Sequence, residues 1–308
     1  KEVNAAIYKS SVKEKIRAFR KIIKENGVDT VHTHFTDMKT DMCVNIACLG
    51  LRVKKFKHYR SSFGSFGTIK KFFARLCYRS WNAVICVSPH ILREAESNIV
   101  SCKPVLLNDA VYFPRMDNCE KLCKPDLGVP ESAVLCFAIG YDYRLKGIDL
   151  ACEAVKKLRD EGLNIYLAVC TASNTQTIAE QIRAQFGEFP EWLKLLPPRQ
   201  DIASYYRAAD IYIQASRSEG FCYAIVEAAY CGKTVVASDC PGMKSHAEKN
   251  FDFLWFKNGD SDSLSEKLGQ AVKMSESSEL SSKNRRAAID NYSIENMSKK
   301  LYRIYADM

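Results

Sequence analysis

Apolar positions along the chain follow two alternating patterns. From Val12 to Ile23 they recur at helical spacing, and the segment GVDTVHTHF that follows has the short apolar run of a buried strand. Similar apolar, β-branched runs recur in NAVICVS, KPVLL, AVLCFAIG, LNIYLAVC, DIYIQAS, KTVVAS and FLWF. Helical patterns separate nearly all of them, as in residues 151–160 and 178–185. This alternation predicts an α/β fold whose parallel sheets carry helices on both faces.

One weakly periodic segment, VYFPRMDNCEKLCKPDLGVPE, interrupts the alternation. It contains three prolines and is typical of a linker. A chain of 308 residues, of which 47% are hydrophobic, has the size of two ordinary domains. We therefore predict one α/β domain on each side of this segment.

The thirteen cysteines do not indicate a disulfide framework. They are scattered through apolar periodic segments and their number is odd, which is typical of reduced cysteines in a cytosolic protein. The close pair Cys119 and Cys123 lacks a second pair or a nearby histidine, so we predict a loop there. No apolar run approaches the ~20 residues that a membrane span requires. We expect a cytoplasmic protein.

Positive charge is concentrated in one region. The net charge is +9, and ten Lys or Arg occur between Met42 and Arg93 without any Asp or Glu. Within this region TIKKFFARLCYRS predicts a helix with adjoining apolar and basic positions, namely Ile69, Phe72, Phe73, Leu76, Lys70, Lys71, Arg75 and Arg79. Such a helix suits an anionic membrane, and residues 52–79 are candidates for peripheral association with its inner face. A solvated helix packed on its own domain is the alternative, and we expect no nucleic-acid partner.

The segment GYDYRLKGIDL predicts a strand ending at Gly140, a polar turn and a helix. Its turn carries Arg144 and Lys146. Ligands of open α/β sheets bind beyond the carboxyl ends of the strands, where helix N-termini offer free N–H groups and partial positive charge. Cations at this place suggest a phosphate site, and a solvated basic turn is the alternative.

The segment EGFCYAIVE repeats that arrangement at another strand end. Glu219 lies in the loop after the strand DIYIQAS, whereas Glu227 lies about one turn into the following helix. The pair can therefore reach opposite ends of one extended ligand, and the N–H groups of Phe221, Cys222 and Tyr223 suit a diphosphate between them. A nucleotide-sugar fits, because carboxylates accept hydrogen bonds from the hydroxyls of a ribose and a sugar.

Several segments together resemble the family 4 retaining glycosyltransferases. SRSEGFCYAIVEAAYCGKTVVASDCPG is similar to the signature of that family, whose paired glutamates are separated by seven residues. GYDYRLKGIDL, LLNDAVYF and VHTHF match further segments in the right order, and YSIENMSKKLYRIYADM resembles the closing helix. The resemblance covers nearly the whole chain.

This resemblance implies the GT-B fold, which has two Rossmann-like domains and an interdomain cleft. The expected domains are residues 1–113 on the acceptor side, residues 114–292 for the donor, and a C-terminal helix, 293–308, that returns to the first domain. Catalysis is expected to involve Glu219, which meets the transferred sugar, and His34 from the first domain. His32 is expected on the opposite face of its strand, in a packing role.

The resemblance also assigns the donor-binding residues. Glu227 is expected to bind the ribose, and Lys146 with Arg144 to bind the diphosphate. The full expected donor-binding set is Lys146, Arg144, Glu227, Gly220, Phe221, Cys222, Tyr223 and Gly140. Two departures from the family pattern are Tyr141, where the family often has Arg, and Cys222, where it often has Gly. The opening strand and glycine-rich loop of the family are also absent, so we expect an N-terminally incomplete chain.

No metal or cofactor is expected beyond the nucleotide-diphosphate sugar as donor. GDSDS contains Asp260 and Asp262, but Ser263 and Glu266 have the spacing of a capping box, so we predict a helix start there. GSFGTIKKF lacks the third glycine and the preceding strand of a dinucleotide fingerprint.

The function that follows is transfer of a sugar, with retention, to a glycan or lipid-linked acceptor in surface polysaccharide or glycolipid synthesis. Two alternatives stay open, a sugar-nucleotide epimerase on the same fold and an inactive paralogue that acts as a scaffold. An epimerase would turn over donor without an acceptor. A scaffold would be expected to lack one of the glutamates or Lys146.

Overall fold

The computed structural model describes residues 10–34, 37–60, 67–99, 101–172, 174–274 and 278–308. The chain forms two compact units. The first comprises Lys1–Asn108 and Lys299–Met308, and the second comprises Asp109–Ser298. Across the described ranges, no helix is both long and apolar enough to cross a membrane.

The first unit contains a parallel four-stranded sheet whose strand order follows the chain. Its strands are β1 (Thr30–Thr33), β2 (Lys54–Tyr59), β3 (Ala83–Cys86) and β4 (Lys103–Leu106). Its helices are α1 (Val12–Glu25), α2 (Met38–Ala47), α3 (Thr68–Tyr78) and α4 (Pro89–Asn98). Ser11 and Glu14 form a capping box at the start of α1, so the helix predicted from Val12 begins where its sequence supplies an N-terminal signal.

Strand β2 has the sequence KKFKHY and was not predicted, because its lysines disguise a buried strand. Nζ of Lys57 lies 2.8 Å from a carboxylate oxygen of Asp41, and both side chains are almost fully buried. Thr33 and Tyr78 each donate a 2.8 Å hydrogen bond to that carboxylate. Lys57 therefore belongs to the interior of the first unit and adds nothing to a basic surface.

Helix α3 packs on its own unit through Ala74, Cys77 and Tyr78, which are buried. Its opposite side leaves large apolar side chains in solvent: the exposed fractions are 76% for Ile69, 63% for Phe72, 43% for Phe73 and 55% for Leu76. The predicted helix and its apolar face are confirmed. Residues 61–66 of the basic segment lie outside the described residues.

The second unit contains a parallel six-stranded sheet with the order β10-β9-β8-β5-β6-β7. Its strands are β5 (Val134–Ile139), β6 (Ile165–Cys170), β7 (Leu193–Leu196), β8 (Ile211–Gln214), β9 (Thr234–Ser238) and β10 (Leu254–Phe256). Its helices are α5 (Pro114–Asp117), α6 (Ile148–Asp160), α7 (Thr175–Phe186), α8 (Ala203–Ala208), α9 (Tyr223–Tyr230), α10 (Pro241–Lys244), α11 (Ser261–Met274) and α12 (Ser278–Tyr292). The short β7 was not predicted.

The direction of winding of this sheet reverses next to β5. Strands β6 and β7 lie on one side of β5, whereas β8, β9 and β10 lie on the other. The loops that follow β5 and β8 consequently diverge at the carboxyl edge of the sheet. This switch point is the place where open α/β sheets bind their ligands.

The last helix, α13 (Ile294–Asp307), begins in the second unit and ends in the first. Nζ of Lys54 donates a 2.9 Å hydrogen bond to the carbonyl of Tyr305, and Nδ2 of Asn82 donates one of 3.0 Å to the carbonyl of Met308. The end of the chain is thus bound to the sheet of the first unit. The functional domain boundaries expected from sequence, and the cleft between the domains, stay predictions.

The capping box expected at Ser263 and Glu266 is wrong in its residues. Helix α11 begins earlier, at Ser261, and Oδ1 of Asp260 accepts a 3.0 Å hydrogen bond from the N–H of Ser263. Asp260 is therefore the capping residue, while Asp262 forms an ion pair with Lys157. GDSDS therefore marks the start of a helix, as predicted, but the capping residue is not the one predicted.

Candidate functional site

Lys146 and Glu219 meet at the switch point of the second sheet. Lys146 lies in the turn between β5 and α6, and Glu219 lies in the loop between β8 and α9. Nζ of Lys146 donates a 2.7 Å hydrogen bond to Oε1 of Glu219. The structure thus brings together the two segments that the sequence indicates separately.

Glu219 is oriented by two further donors. Oγ of Ser216 donates at 2.7 Å and Nε2 of Gln214 at 3.3 Å to the same carboxylate oxygen. Burial alone would lower the pKa of Lys146, but the charge of Glu219 and its hydrogen bond raise that pKa above its usual value. Lys146 therefore keeps a positive charge suited to a phosphate.

Two glycines let the surrounding loops approach one another closely. A Cβ at Gly147 would lie 1.9 Å from the carbonyl oxygen of Ala215, and φ of Gly147 is +66°. A Cβ at Gly242 would lie 1.7 Å from the carbonyl oxygen of Glu219. Since any side chain at Gly242 would collide with backbone, this contact fixes where the Glu219 loop can lie.

Gly140 and Tyr141 form the first part of the turn that carries Lys146. A Cβ at Gly140 would lie 2.8 Å from Cδ1 of Ile148, so Gly140 makes room for the start of α6. The ring of Tyr141 is half exposed, and Nζ of Lys146 lies 5.1 Å from its centroid. Tyr141, one of the departures from the family pattern, therefore shields one side of the ammonium by a cation–π contact.

The start of α9 follows Glu219 and Gly220 directly. Phe221 and Cys222 are buried, and Tyr223 begins the helix. Cys222 has φ +67°, in the left-handed region that favours glycine. This backbone conformation explains why the family often has glycine at this position. The first N–H groups and the partial positive charge of the helix end are suited to phosphate oxygens.

Glu227 lies in the middle of α9 and is buried. The hydroxyl of Tyr206 donates a 3.1 Å hydrogen bond to Oε2, and a guanidinium nitrogen of Arg115 contacts Oε1. Half of the Arg115 side chain is exposed, whereas only 8% of the Glu227 side chain is. A hydroxyl donor can therefore reach Glu227 where Arg115 now lies, while Tyr206 continues to hold the other oxygen.

Arg144 is held differently from Lys146. Its guanidinium forms a 2.7 Å ion pair with Asp149, yet 74% of the side chain is exposed. Arg217 donates two 2.8 Å hydrogen bonds to the same buried carboxylate. Because Asp149 has a second cationic partner, Arg144 can leave it for a ligand without leaving that carboxylate unpaired.

His34 directly follows β1 in the first unit and is exposed. His32 does not lie on the opposite strand face, so that expectation is wrong. Residues two apart in a strand share a face, and the rings of His32 and His34 stack with centroids 4.5 Å apart. Burial, followed by the charge of His34, lowers the pKa of His32 to about 3.

The sequence does not indicate several residues that shape the donor-side site. Arg115 lies in the supposed linker, and the hydroxyl of Tyr223 contacts Asp109 in LLNDAVYF. His246 is fully buried: its Nε2–H donates a 2.5 Å hydrogen bond to the carbonyl of Phe221, and Tyr292 donates one of 2.8 Å to its Nδ1. No local sequence pattern indicates these contacts, because each of them joins residues that are distant in the chain.

Solved structures share this architecture. A glycosyltransferase from Rickettsia africae superposes with a TM-score of 0.83 at 20% identity, over 100% of this chain and 83% of that one. Anabaena Alr3699/HepE in complex with UDP-glucose superposes with a TM-score of 0.75 at 16% identity, over 94% and 82%. At such identities the likeness shows the fold, and it confirms the predicted GT-B class.

The sequence profile of the family described as "Glycosyl transferases group 1" matches residues 123–292, more than half of the chain. The chain therefore belongs to the glycosyl transferases group 1 family. The matched range contains Lys146, Glu219 and Glu227, whereas Arg115, which contacts Glu227, lies outside it.

Two curated relatives match shorter stretches. The chain is 38% identical over 73 residues to the N,N'-diacetylbacillosaminyl-diphospho-undecaprenol alpha-1,3-N-acetylgalactosaminyltransferase of Campylobacter jejuni, covering 24% of this chain and 19% of the relative. It is 33% identical over 140 residues to the D-inositol 3-phosphate glycosyltransferase of Corynebacterium kroppenstedtii, covering 43% and 31%. These matches span less than a third of each relative.

Proposed function

We propose that the protein transfers a sugar from a nucleotide-diphosphate sugar to a hydroxyl acceptor, with retention at the anomeric carbon. The observation that carries this proposal is the contact between Lys146 and Glu219 at the switch point, next to the start of α9. A cation, a helix N-terminus and a carboxylate there match the parts of a nucleotide-sugar. Family membership and the UDP-glucose complex of the Anabaena neighbour support the same donor class.

In this proposal the two glutamates have different tasks. Glu227, held by Tyr206 inside α9, accepts hydrogen bonds from the ribose hydroxyls after displacing Arg115. Glu219, at the strand end, meets the transferred sugar and stabilises the positive charge that develops there during transfer. His34 contributes from the first unit, as the family resemblance implies.

The diphosphate binds without a metal ion. Lys146 supplies one fixed positive charge, Arg144 supplies a second that is free to turn away from Asp149, and α9 supplies N–H donors. These groups offset the charge that a divalent cation would otherwise neutralise. Donor binding is accordingly insensitive to chelators.

The acceptor is a glycan or a lipid-linked sugar, at an anionic membrane surface. The exposed apolar residues of α3 with Lys70, Lys71, Arg75 and Arg79 favour peripheral binding. The name of the Campylobacter jejuni relative includes a diphospho-undecaprenol acceptor, which supports the lipid-linked class.

The test is turnover of a panel of uridine, guanosine and cytidine diphosphate sugars with and without candidate acceptors. Formation of an acceptor glycoside of unchanged anomeric configuration supports the proposal. Inversion of that configuration contradicts retention. Donor isomerisation without acceptor would instead identify an epimerase, and binding without any turnover would identify a scaffold.

A further inference from the structure

Three of the five histidines meet on one face of the four-stranded sheet. Thr33 on β1 is paired in register with Lys57 on β2, which brings the next residues, His34 and His58, side by side on adjacent parallel strands. His32 precedes His34 by two positions and lies on the same face. The pairing of β1 with β2 thus adds His58 to two histidines that are already neighbours in sequence.

The three imidazoles are close enough to bind one ion. One ring nitrogen from each of His32, His34 and His58 lies within 4.8 Å of the others. The ring centroids are 4.5 Å apart for His32–His34, 5.0 Å for His34–His58 and 5.2 Å for His32–His58. Three imidazole nitrogens on a tetrahedral zinc ion, each at 2.0–2.1 Å, lie about 3.3 Å apart. Small rotations of the three rings thus bring their nitrogens to the separation that a shared ion requires.

We propose that His32, His34 and His58 form a binding site for a divalent first-row transition-metal ion. Three imidazoles suit Zn²⁺, Cu²⁺, Ni²⁺ and Co²⁺, whereas Mg²⁺ and Ca²⁺ require oxygen ligands. The set is that of an open three-histidine site, in which a fourth position is left for water. His34 is exposed, so an ion can enter from solvent.

Tyr305 on α13 orients one of the ligands. Its hydroxyl lies 2.5 Å from Nδ1 of His32, while Nε2 of His32 has no hydrogen-bond partner in the part of the chain that the structure describes. When Nδ1–H donates to the Tyr305 oxygen, Nε2 presents its lone pair to the ion. Histidine ligands are commonly fixed in this way by a partner of the other ring nitrogen.

The surrounding charges limit the affinity of this site. Lys57 and Arg60 lie near enough for their charges to act on His32 and His58, and both cations oppose a bound dication. The carboxylate of Asp41, at 2.8 Å from Lys57, offsets one of them. We therefore expect a reversible site, weaker than a closed structural zinc centre. His34 belongs to both proposals, but the metal site does not rest on the transfer reaction, because ion binding is measured without turnover.

The experiment is titration of the full chain, first stripped by a chelator, with Zn²⁺ in a calorimeter and with Co²⁺ in a visible spectrometer. One ion per chain is expected, with the d–d absorption of a tetrahedral site. His34→Ala, at an exposed position, and His58→Asn should each weaken binding at least about tenfold. Tyr305→Phe should weaken it about tenfold by releasing His32. His90→Ala, which removes a half-buried histidine paired with Glu94 outside the cluster, should not change the affinity for either ion.

Three outcomes would overturn the site. One is a wild-type chain that binds neither ion in a one-to-one ratio. Another is a Kd that His34→Ala leaves unchanged, since that variant does not disturb the interior. The third is a near-ultraviolet charge-transfer band of Co²⁺ bound to thiolate, which would place the ion on cysteines. Failure of donor turnover in the same preparation would bear on the transfer reaction and not on this site.

Discussion

Lys146 and Glu219 are 73 positions apart in sequence, and the ammonium of the first lies 2.7 Å from the carboxylate of the second. The two residues meet because β5 and β8 are neighbours in the sheet, although two strands (β6 and β7) and three helices (α6, α7 and α8) lie between them along the chain. The charge of Glu219 and its hydrogen bond raise the pKa of Lys146, so the lysine is positively charged where a phosphate is expected to bind.

Lys146→Ala should weaken binding of a nucleoside diphosphate by about 1.5 to 3 kcal/mol, the range for a hydrogen bond to a charged group. Calorimetric titration with and without chelator measures this loss and tests metal independence together. Lys156→Ala is the matched control, because Lys156 is an exposed lysine of α6 whose ammonium forms an ion pair with Asp160. A strict requirement for added divalent ion would contradict the metal-independent site.

The two glutamates should separate nucleotide binding from sugar transfer. Glu227→Gln should weaken the bare nucleoside diphosphate and the full donor alike, because its ribose contact is common to both. Glu219→Gln should leave nucleoside diphosphate affinity nearly intact and lower turnover, because its contact strengthens in the transition state. Titration of both variants with both ligands decides the matter, and equal effects throughout would refute this division of tasks.

Gly242→Ala should destabilise the protein by about 1 to 3 kcal/mol and lower donor turnover, because the new Cβ would push the carbonyl of Glu219 away. Urea unfolding and donor turnover are the measurements. Gly269→Ala is the control: its Cβ would meet only Leu158 at 3.8 Å, and alanine in helix α11 should stabilise by up to about 1 kcal/mol. A Gly242→Ala variant with the stability and turnover of the wild type would show that the loop has room to move.

His246 should make stability depend on pH. Burial lowers its pKa to about 4 from an ordinary 6.5, so the unfolded chain binds the extra proton more readily. The stabilisation is complete above pH 6.5 and is lost as pH falls towards 4, with about 2 kcal/mol gone by pH 5. Urea unfolding of the wild type and His246→Gln between pH 5 and 7.5 isolates this residue. Parallel pH profiles of the two proteins would exclude it as the source.

Association with anionic vesicles should depend on α3. Reversing the charges of Lys70, Lys71 and Arg75 should reduce co-sedimentation, and added salt should do the same for the wild type, because each cation near the surface contributes ~1 kcal/mol. Lys21→Glu on α1, at a lysine with 71% of its side chain exposed, is the control. Vesicle binding that is unchanged when the charges of all three residues are reversed would support the solvated-helix alternative.

The sequence predicts the fold well wherever a strand is apolar throughout. The prediction fails at β2, because a lysine in a sequence is normally taken as a surface charge. In the structure Lys57 pairs with Asp41, and Lys55 donates hydrogen bonds to Asn45 and Ser80 inside the unit. The partners of a buried charge are set by tertiary structure, and no local pattern reports them.

In the candidate site, too, some features could be predicted from the sequence and others depend on tertiary structure. The positions of Lys146, Glu219 and Glu227 at strand ends and in a helix follow from local pattern and family resemblance. The contact of Arg115 with Glu227 joins residues 112 positions apart, and the positive φ of Cys222 is hidden by a residue type that rarely adopts it. The grouping of His32 with His34, by contrast, was available from strand periodicity alone.

The buried pair of Lys57 and Asp41 also constrains how this sequence can diverge. Removing one partner leaves an uncompensated charge in the interior, which costs about 3 to 5 kcal/mol, whereas replacing both with well-packed apolar residues is often neutral or stabilising. The neutral double substitution is therefore reached only through a strongly destabilised single one. Related sequences that carry this pair are therefore expected to retain both residues, even though an apolar pair would stabilise the fold equally well.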